Sequence, residues 1–277
     1  MQASIAQIAA LTIYGNASLL RTGAVVDFYP GNSTFQHCEY VQFVDLRNDG
    51  SKRIEEPFAP DPLAWFEALR KGGRDTLRMQ YGASGQPQTP DRMLVGFVGG
   101  GGRWLIEAQH SGGSDFWEGR WQIGDRGRAD RKIWRVTYAR IARDQPSIKP
   151  QELEDLDKLA HELDQNLVEI EDFARSRKIE NFADVFKSAR ARLHSDPPFS
   201  GQYHSDLCRP QFIPVAACRL LAACQVAWVF GGMGSWNDQS FDAATQSRYD
   251  ALSERLYQLL NRAVVIAANA SSYGTLA

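Results

Sequence analysis

The stretch RDQPSIKP, residues 143–150, marks a change in the pattern of apolar residues along the chain. Before it, most apolar residues alternate with polar ones, and a period of two is typical of β-strands with one buried face. After it, apolar residues recur at steps of three and four, which is typical of amphipathic helices. Its prolines and serine favour a connection between the two patterns. The sequence therefore predicts two domains, residues 1–145 and residues 146–277.

The first predicted domain is an α+β domain with an antiparallel sheet covered by one or two helices. Residues 33–46 predict its first strand, and five further strands follow. The covering helices are an N-terminal segment and residues 61–73, where Asp61 is the N-cap and Pro62 the first helical residue. The apolar faces of the five further strands are Leu77, Met79 and Tyr81; Met93, Val95 and Phe97; Trp104, Ile106 and Ala108; Trp117, Trp121 and Ile123; and Trp134, Val136 and Tyr138.

The second predicted domain is an all-α four-helix bundle. Its helices are expected over about 150–176, 180–194, 213–230 and 242–270. The third of them is apolar on every side, whereas the other three each carry one apolar stripe. Three amphipathic helices around one apolar helix is the usual composition of a bundle.

Composition favours an ordinary globular protein of the cytosol. The 277 residues include 43% hydrophobic and 23% charged residues, and the formal net charge is −2, which argues against a globally basic nucleic-acid binder. Four cysteines without CxxC spacing predict reduced core residues, as expected of a cytoplasmic protein. The apolar N-terminal run lacks the basic residues of a signal peptide. The apolar run at 213–230 contains Arg219 and Gln225, so we expect a core helix there and no membrane segment.

The segment VFGGMGSWNDQSF, residues 229–241, has two interpretations. In the first, a glycine ends one helix, a polar residue caps the next, and Trp236 pins the loop against the bundle. In the second, Trp236, Asn237 and Asp238 form an exposed contact for a protein partner, because a tryptophan flanked by glycines is a suitable anchor.

A basic hairpin over residues 120–143 offers another surface. Arg126, Arg128 and Arg131 stand among aromatic residues, a pattern that also occurs in nucleic-acid-binding proteins. Strand alternation, however, places the aromatic side chains in the core and leaves the arginines in solvent. The acidic residues that follow position 150 could also pair with these arginines.

The connection HSDPPFSGQYHSDLC, residues 194–208, contains potential metal ligands. His194, His204 and Cys208 are all suitable zinc ligands, and three ligands plus a water would make an open zinc site. Their spacing fits no standard zinc finger, and polar residues accumulate in connections for other reasons. Zinc is therefore an alternative, and the sequence predicts no required cofactor.

Other catalytic motifs are absent from the sequence. The glycines of VGGGGRW, residues 98–104, join two predicted strands, so a hairpin turn is expected there and no phosphate loop. No GxSxG or HExxH motif occurs. The sequence therefore favours a non-catalytic protein-binding protein. The first alternative is a metal-dependent hydrolase with a site near residues 194–208, and the weaker alternative is nucleic-acid binding through the basic hairpin.

Overall fold

A computed structural model describes residues 1–20, 27–50, 52–85, 88–148, 155–199 and 201–273. The chain divides into two compact units. The helical unit contains Met1–Gln2, Tyr81–Arg103 and Gln151–Ala267, and the sheet unit contains Ala3–Gln80, Trp104–Pro150 and Ala268–Ala277. Residues Tyr81–Arg103, which the apolar pattern places in the first domain, therefore belong with the helices. The predicted start of the first bundle helix, at residue 150, lies outside the described residues.

The sheet has six strands, in the spatial order β2-β1-β6-β5-β4-β3. The pairs β1–β2, β4–β5 and β5–β6 are antiparallel, but β1 and β6 run parallel. The prediction of an antiparallel sheet is therefore wrong for this pair, because alternation identifies a buried face and carries no information on the direction of the neighbouring strand. The strands are β1 (Cys38–Asp49), β2 (Lys52–Ala59), β3 (Thr76–Gly82), β4 (Arg103–His110), β5 (Gly113–Ile123) and β6 (Trp134–Gln145).

Two helices pack in the sheet unit, α1 (Ala3–Leu20) and α2 (Pro62–Lys71). Helix α2 begins as predicted, since Asp61 Oδ1 accepts a hydrogen bond from the Ala64 N–H at 2.9 Å. Its Trp65 stacks on Phe43 of β1 with ring centroids 4.3 Å apart. Helix α1 is long and apolar enough to cross a membrane, and 72% of its apolar window is buried inside the protein.

Asparagine side chains satisfy the backbone of the edge strand β3. Asn16 of α1 donates to the Leu77 carbonyl at 2.9 Å and accepts from the Leu77 N–H at 2.7 Å. Asn269 makes the same pair of bonds with Met79, at 3.0 and 2.6 Å. An edge strand otherwise presents unpaired backbone groups that promote association with other strands. At Leu77 and Met79, these two asparagine side chains bind the backbone groups that an edge strand would otherwise leave unpaired.

Charged residues are buried at one end of the core face of the sheet. The Arg140 guanidinium donates to Asp45 at 2.6 Å and to Asp115 at 2.9 Å. It lies 4.8 Å from the ring centre of Phe58 and 5.4 Å from that of Trp117. Carboxylates on its edge and aromatic rings on its faces are the partners that a buried guanidinium requires.

Two local predictions of secondary structure are corrected. Strand β2 was not predicted, because its sequence KRIEEPFA is too charged and contains Pro57, features that suit an edge strand. The predicted strand at Met93, Val95 and Phe97 is instead a short helix, α3 (Asp91–Leu94), followed by a turn. Three apolar residues at alternate positions are too short a pattern to distinguish these structures.

The helical unit contains four longer helices after the connection. Helix α5 packs against both α4 and α6. The apolar stripe of α4 is buried, and α6 is buried on most of its surface. The helices are α4 (Leu156–Ser176), α5 (Glu180–Leu193), α6 (Val215–Ala227) and α7 (Ala243–Asn269).

Candidate interaction surface

The tryptophan of segment 229–241 lies in the interior of the helical unit. Trp236 begins a short 3-10 turn, and its side chain is fully buried. The indole Nε1 donates to Ser253 Oγ at 2.8 Å, and the ring meets Phe182 and Phe186 edge-on at centroid distances of 5.1 and 5.2 Å. Such contacts and a paired indole N–H are typical of a core tryptophan. Trp236 therefore fixes the segment and offers no contact area to a partner.

The neighbours of Trp236 also make internal contacts. The half-buried Asn237 donates through Nδ2 to the Arg92 carbonyl at 2.7 Å. Asp238 accepts the Gly234 N–H at 2.5 Å and is itself exposed. Of the three residues predicted here as an interaction site, Asp238 is exposed, Asn237 is half-buried and Trp236 is buried.

A second loop, residues 91–102, is fixed beside this segment by Arg92. The Arg92 side chain is buried and donates to Asp250 at 2.6 Å, and its Nε lies 3.6 Å from Glu254 Oε2. Together with the bond from Asn237 to its carbonyl, these contacts tie the loop both to α7 and to segment 229–241. A buried guanidinium that loses its carboxylate is strongly destabilising, so the contacts of Arg92 hold this loop in place.

Glycines allow close approach at the same place. A methyl group on Gly96 would lie 2.9 Å from the Gly231 carbonyl oxygen, so the two loops meet backbone to backbone. Gly102 has φ +87°, and a methyl group there would lie 2.5 Å from the Tyr81 ring. Residues 95–102 therefore form a turn between α3 and strand β4, with Gly102 close to Tyr81, which corrects the expectation of a hairpin between two strands.

Large apolar side chains protrude from these two braced loops. Phe97 is 70% exposed, and Val98 and Met233 are fully exposed. Gly96 and Gly231, their near neighbours in sequence, are in contact, so the three side chains lie on adjoining loops. We call Phe97, Val98 and Met233 the apolar patch. Large apolar side chains left in solvent on adjoining loops mark a candidate interaction site.

The arginines of the basic hairpin are partly neutralised. Arg128 donates to Asp130 twice, at 3.0 and 2.8 Å, and lies 3.8 Å from Glu39. Arg126 and Arg131 are exposed and make no ion pair with the described carboxylates. The described carboxylates beside this tip belong to the sheet unit, and two of the acidic residues considered as alternative partners, at positions 152 and 154, lie outside the described residues.

The three predicted metal ligands are not brought together. His194 is 70% exposed at the end of α5, with Nε2 3.7 Å from Asp164 Oδ1. His204 is buried, and desolvation lowers its pKa to about 4. Cys208 is buried too, which raises the pKa of its thiol, and its Sγ contacts the Cys218 carbonyl at 3.5 Å. Among the described residues these three form no cluster of potential ligands.

A different cluster has ligand atoms within 4.8 Å of one another, and it consists of His110, Asp115 and Asp144. Arg74 Nη2 lies 2.8 Å from Asp115 and 3.9 Å from Asp144, and Arg140 donates to Asp115 at 2.9 Å. Burial disfavours the charged Asp115 carboxylate, but these arginines and the Asp144 amide outweigh burial, so that the pKa of Asp115 lies below its ordinary value. Guanidinium groups supply the cation here, and the cluster is a structural ion-pair network.

Sequence reasoning missed the apolar patch and Arg92. Phe97 and Met93 were assigned to the buried face of a strand, which removed them from the surface. The available signal was glycine on the flanks of each exposed residue, Gly96 before Phe97 and Gly232 and Gly234 around Met233. Glycine-rich flanks disfavour regular elements, and an apolar residue between them has no packed face to join.

Comparison with protein-family models, curated proteins and solved structures finds no match to this chain.

Proposed function

We propose that this protein binds other proteins through the apolar patch and performs no chemistry there. The observation that carries this proposal is the exposure of Phe97, Val98 and Met233 on two loops braced against each other. Apolar side chains near the centre of an interface contribute most of the binding free energy. Braced loops lose little conformational entropy when a partner binds.

The scaffold and the compartment are part of the proposal. We propose that α4, α5, α6 and α7 form a four-helix bundle, which the packing of α5 against α4 and α6 supports. The cytosol is the proposed compartment, supported by four cysteines that are buried and free. A location off the membrane is supported by the burial of most of the apolar helix α1 inside the protein.

The test is site-specific photo-crosslinking in host lysate. A benzoylphenylalanine at Val98 is expected to form discrete protein adducts, and the same group at Leu63, a half-exposed residue of the sheet unit, is expected to form none. The adducts should disappear when Phe97→Ser and Met233→Ser are combined with the Val98 probe, while circular dichroism stays unchanged. Equal adducts at both positions, or none at Val98, would contradict the proposal.

The structure bears differently on the two alternative functions. The hydrolase alternative near residues 194–208 requires His194, His204 and Cys208 to converge, and the separation of these side chains weighs against it. The exposure of Arg126 and Arg131 supports the nucleic-acid alternative. Heparin retention that falls with salt and is lost in Arg126→Ala/Arg131→Ala would favour it.

A further inference from the structure

We propose that the apolar patch binds a second copy of this chain, through the tip of its basic hairpin. The tip comprises residues 123–133, between the end of β5 and the start of β6. This inference rests on the proposed function, because it names the partner of the same patch. Three features carry it: the charge around the patch, the charge of the tip, and an exposed apolar residue on the tip.

The two segments that carry the patch have a formal net charge of −2. Residues 81–103 and 231–254 contain five carboxylates and three arginines. Arg92 is buried and paired with Asp250, so its charge does not reach the surface. Arg248 precedes Asp250 by two residues in α7, a spacing that places the two side chains on different sides of a helix. Asp238, Asp242, Arg103 and Arg248 are exposed, and Asp238 contacts the turn that carries Met233.

The tip has the opposite character. Arg126 and Arg131 are exposed without an ion pair to the described carboxylates, and Lys132 lies beside them. Ile123, at the base of the tip, is 46% exposed. An apolar side chain next to cations without an ion pair suits an apolar patch whose segments carry a net negative charge.

The geometry of association follows from the use of two different surfaces. A tip that docks on a patch makes a heterologous contact, so each copy keeps one free tip or one free patch for the next copy. Association is therefore head to tail, and it stops where the copies close a ring. The patch is small, so we expect a weak contact that forms between about 10 µM and about 1 mM protein.

Sedimentation equilibrium of the full chain tests this contact. The weight-average mass should rise above the 31.0 kDa of one chain as concentration increases. Raising the salt concentration from about 0.05 M to about 0.5 M should weaken association by about tenfold, because salt screens the charges at the contact. A wild-type mass that stays at one chain throughout would overturn the proposal.

Three variants assign the two surfaces. The patch variant Phe97→Ser/Met233→Ser and the tip variant Arg126→Glu/Arg131→Glu should each stay monomeric. The matched control Lys52→Glu/Arg53→Glu makes the same change of net charge on the exposed edge strand β2 and should associate like the wild type. Association that survives in the tip variant, or that is lost equally in the control, would overturn the proposal.

Mixing the two defective variants gives the sharpest outcome. The patch variant still carries an intact tip and the tip variant an intact patch, so an equimolar mixture should form a dimer that grows no further. A mixture that stays monomeric would overturn the proposal.

The photo-crosslink at Val98 separates this inference from the proposed function. Adducts between two copies of the chain support both the proposed function and the binding of a second copy. Adducts with other proteins only, from a chain that remains monomeric, leave the proposed function standing and overturn this inference. Patch-dependent binding of lipid vesicles without self-association would place a membrane at the patch and overturn both.

Discussion

At the scale of single residues, the structure favours the first of the two interpretations of Trp236, in which its side chain fixes the loop. Trp236 was considered as an exposed anchor because glycines flank it, but its indole is enclosed by phenylalanines and bonded to Ser253. The glycines serve the backbone contacts of the loop, and Met233 takes the exposed position. Composition indicated that segment 229–241 was special, but the direction of each side chain depends on tertiary contacts that the local pattern of residues does not reveal.

A core role for Trp236 has a measurable consequence. Trp236→Ala should lower the free energy of unfolding by about 3–5 kcal/mol, because it leaves a large cavity. Ser253→Ala removes the partner of the indole N–H, together with the hydrogen bond from Ser253 Oγ to the Tyr249 carbonyl, and should cost about 1–3 kcal/mol, the range for leaving a buried donor unpaired. Urea denaturation followed by circular dichroism measures both. A cost below about 1 kcal/mol for Trp236→Ala would mean that the indole is in solvent.

At the scale of secondary-structure elements, the accuracy of the sequence predictions follows the length and clarity of the apolar pattern. Helices α5 and α7 begin and end within a few residues of their predicted limits, because their apolar stripes extend over several turns. Helix α2 was located from its cap and Pro62. Strand β2 was missed because an edge strand needs few apolar residues. The parallel direction of the pair β1–β6 was missed because the direction of strand pairing is a tertiary property.

The contact between the two loops that carry the patch depends on Gly96. Gly96→Ala places a methyl group 2.9 Å from the Gly231 oxygen, and we expect it to lower the free energy of unfolding by about 1–3 kcal/mol. The matched control is Gly231→Ala, because a methyl group there meets nothing within 4 Å, and we expect a change below about 0.5 kcal/mol. Thermal unfolding of the two variants compares them directly. Equal losses would show that the two backbones are not in contact.

At the scale of the whole molecule, burial of a neutral histidine makes stability depend on pH. Desolvation lowers the pKa of His204 to about 4, whereas an unfolded chain has a histidine pKa near 6.5. The unfolded state therefore binds the proton more readily below pH 6.5. The contribution of His204 is fully present above that pH and is lost as the pH falls towards 4.

We therefore expect the free energy of unfolding to fall by about 2 kcal/mol between pH 7 and pH 5 on account of His204. His204→Asn should remove this part of the pH dependence. His194→Asn, at a histidine that is 70% exposed, should leave it unchanged. Urea titrations at the two pH values give the comparison, and identical pH dependence in the wild type and His204→Asn would show that His204 does not titrate with unfolding.

The organisation into two compact units was only partly readable from the sequence. The change of pattern at 143–150 separates most strands from most helices, as the structure has them. Segment Tyr81–Arg103 belongs with the helical unit through Arg92 and Tyr257, contacts that join residues more than 150 positions apart. No local pattern encodes such contacts, and they position the apolar patch.

Hydroxyl-radical footprinting tests the central claim, that the surface formed by Phe97, Val98 and Met233 is covered by protein in the cell. Oxidation of Met233 and Phe97 should be fast in dilute buffer and clearly slower in concentrated host extract, while the exposed control Tyr203 is oxidised equally in both. Unchanged oxidation of Met233 and Phe97 in extract would contradict the account, because the patch would then remain in solvent where its partner is present.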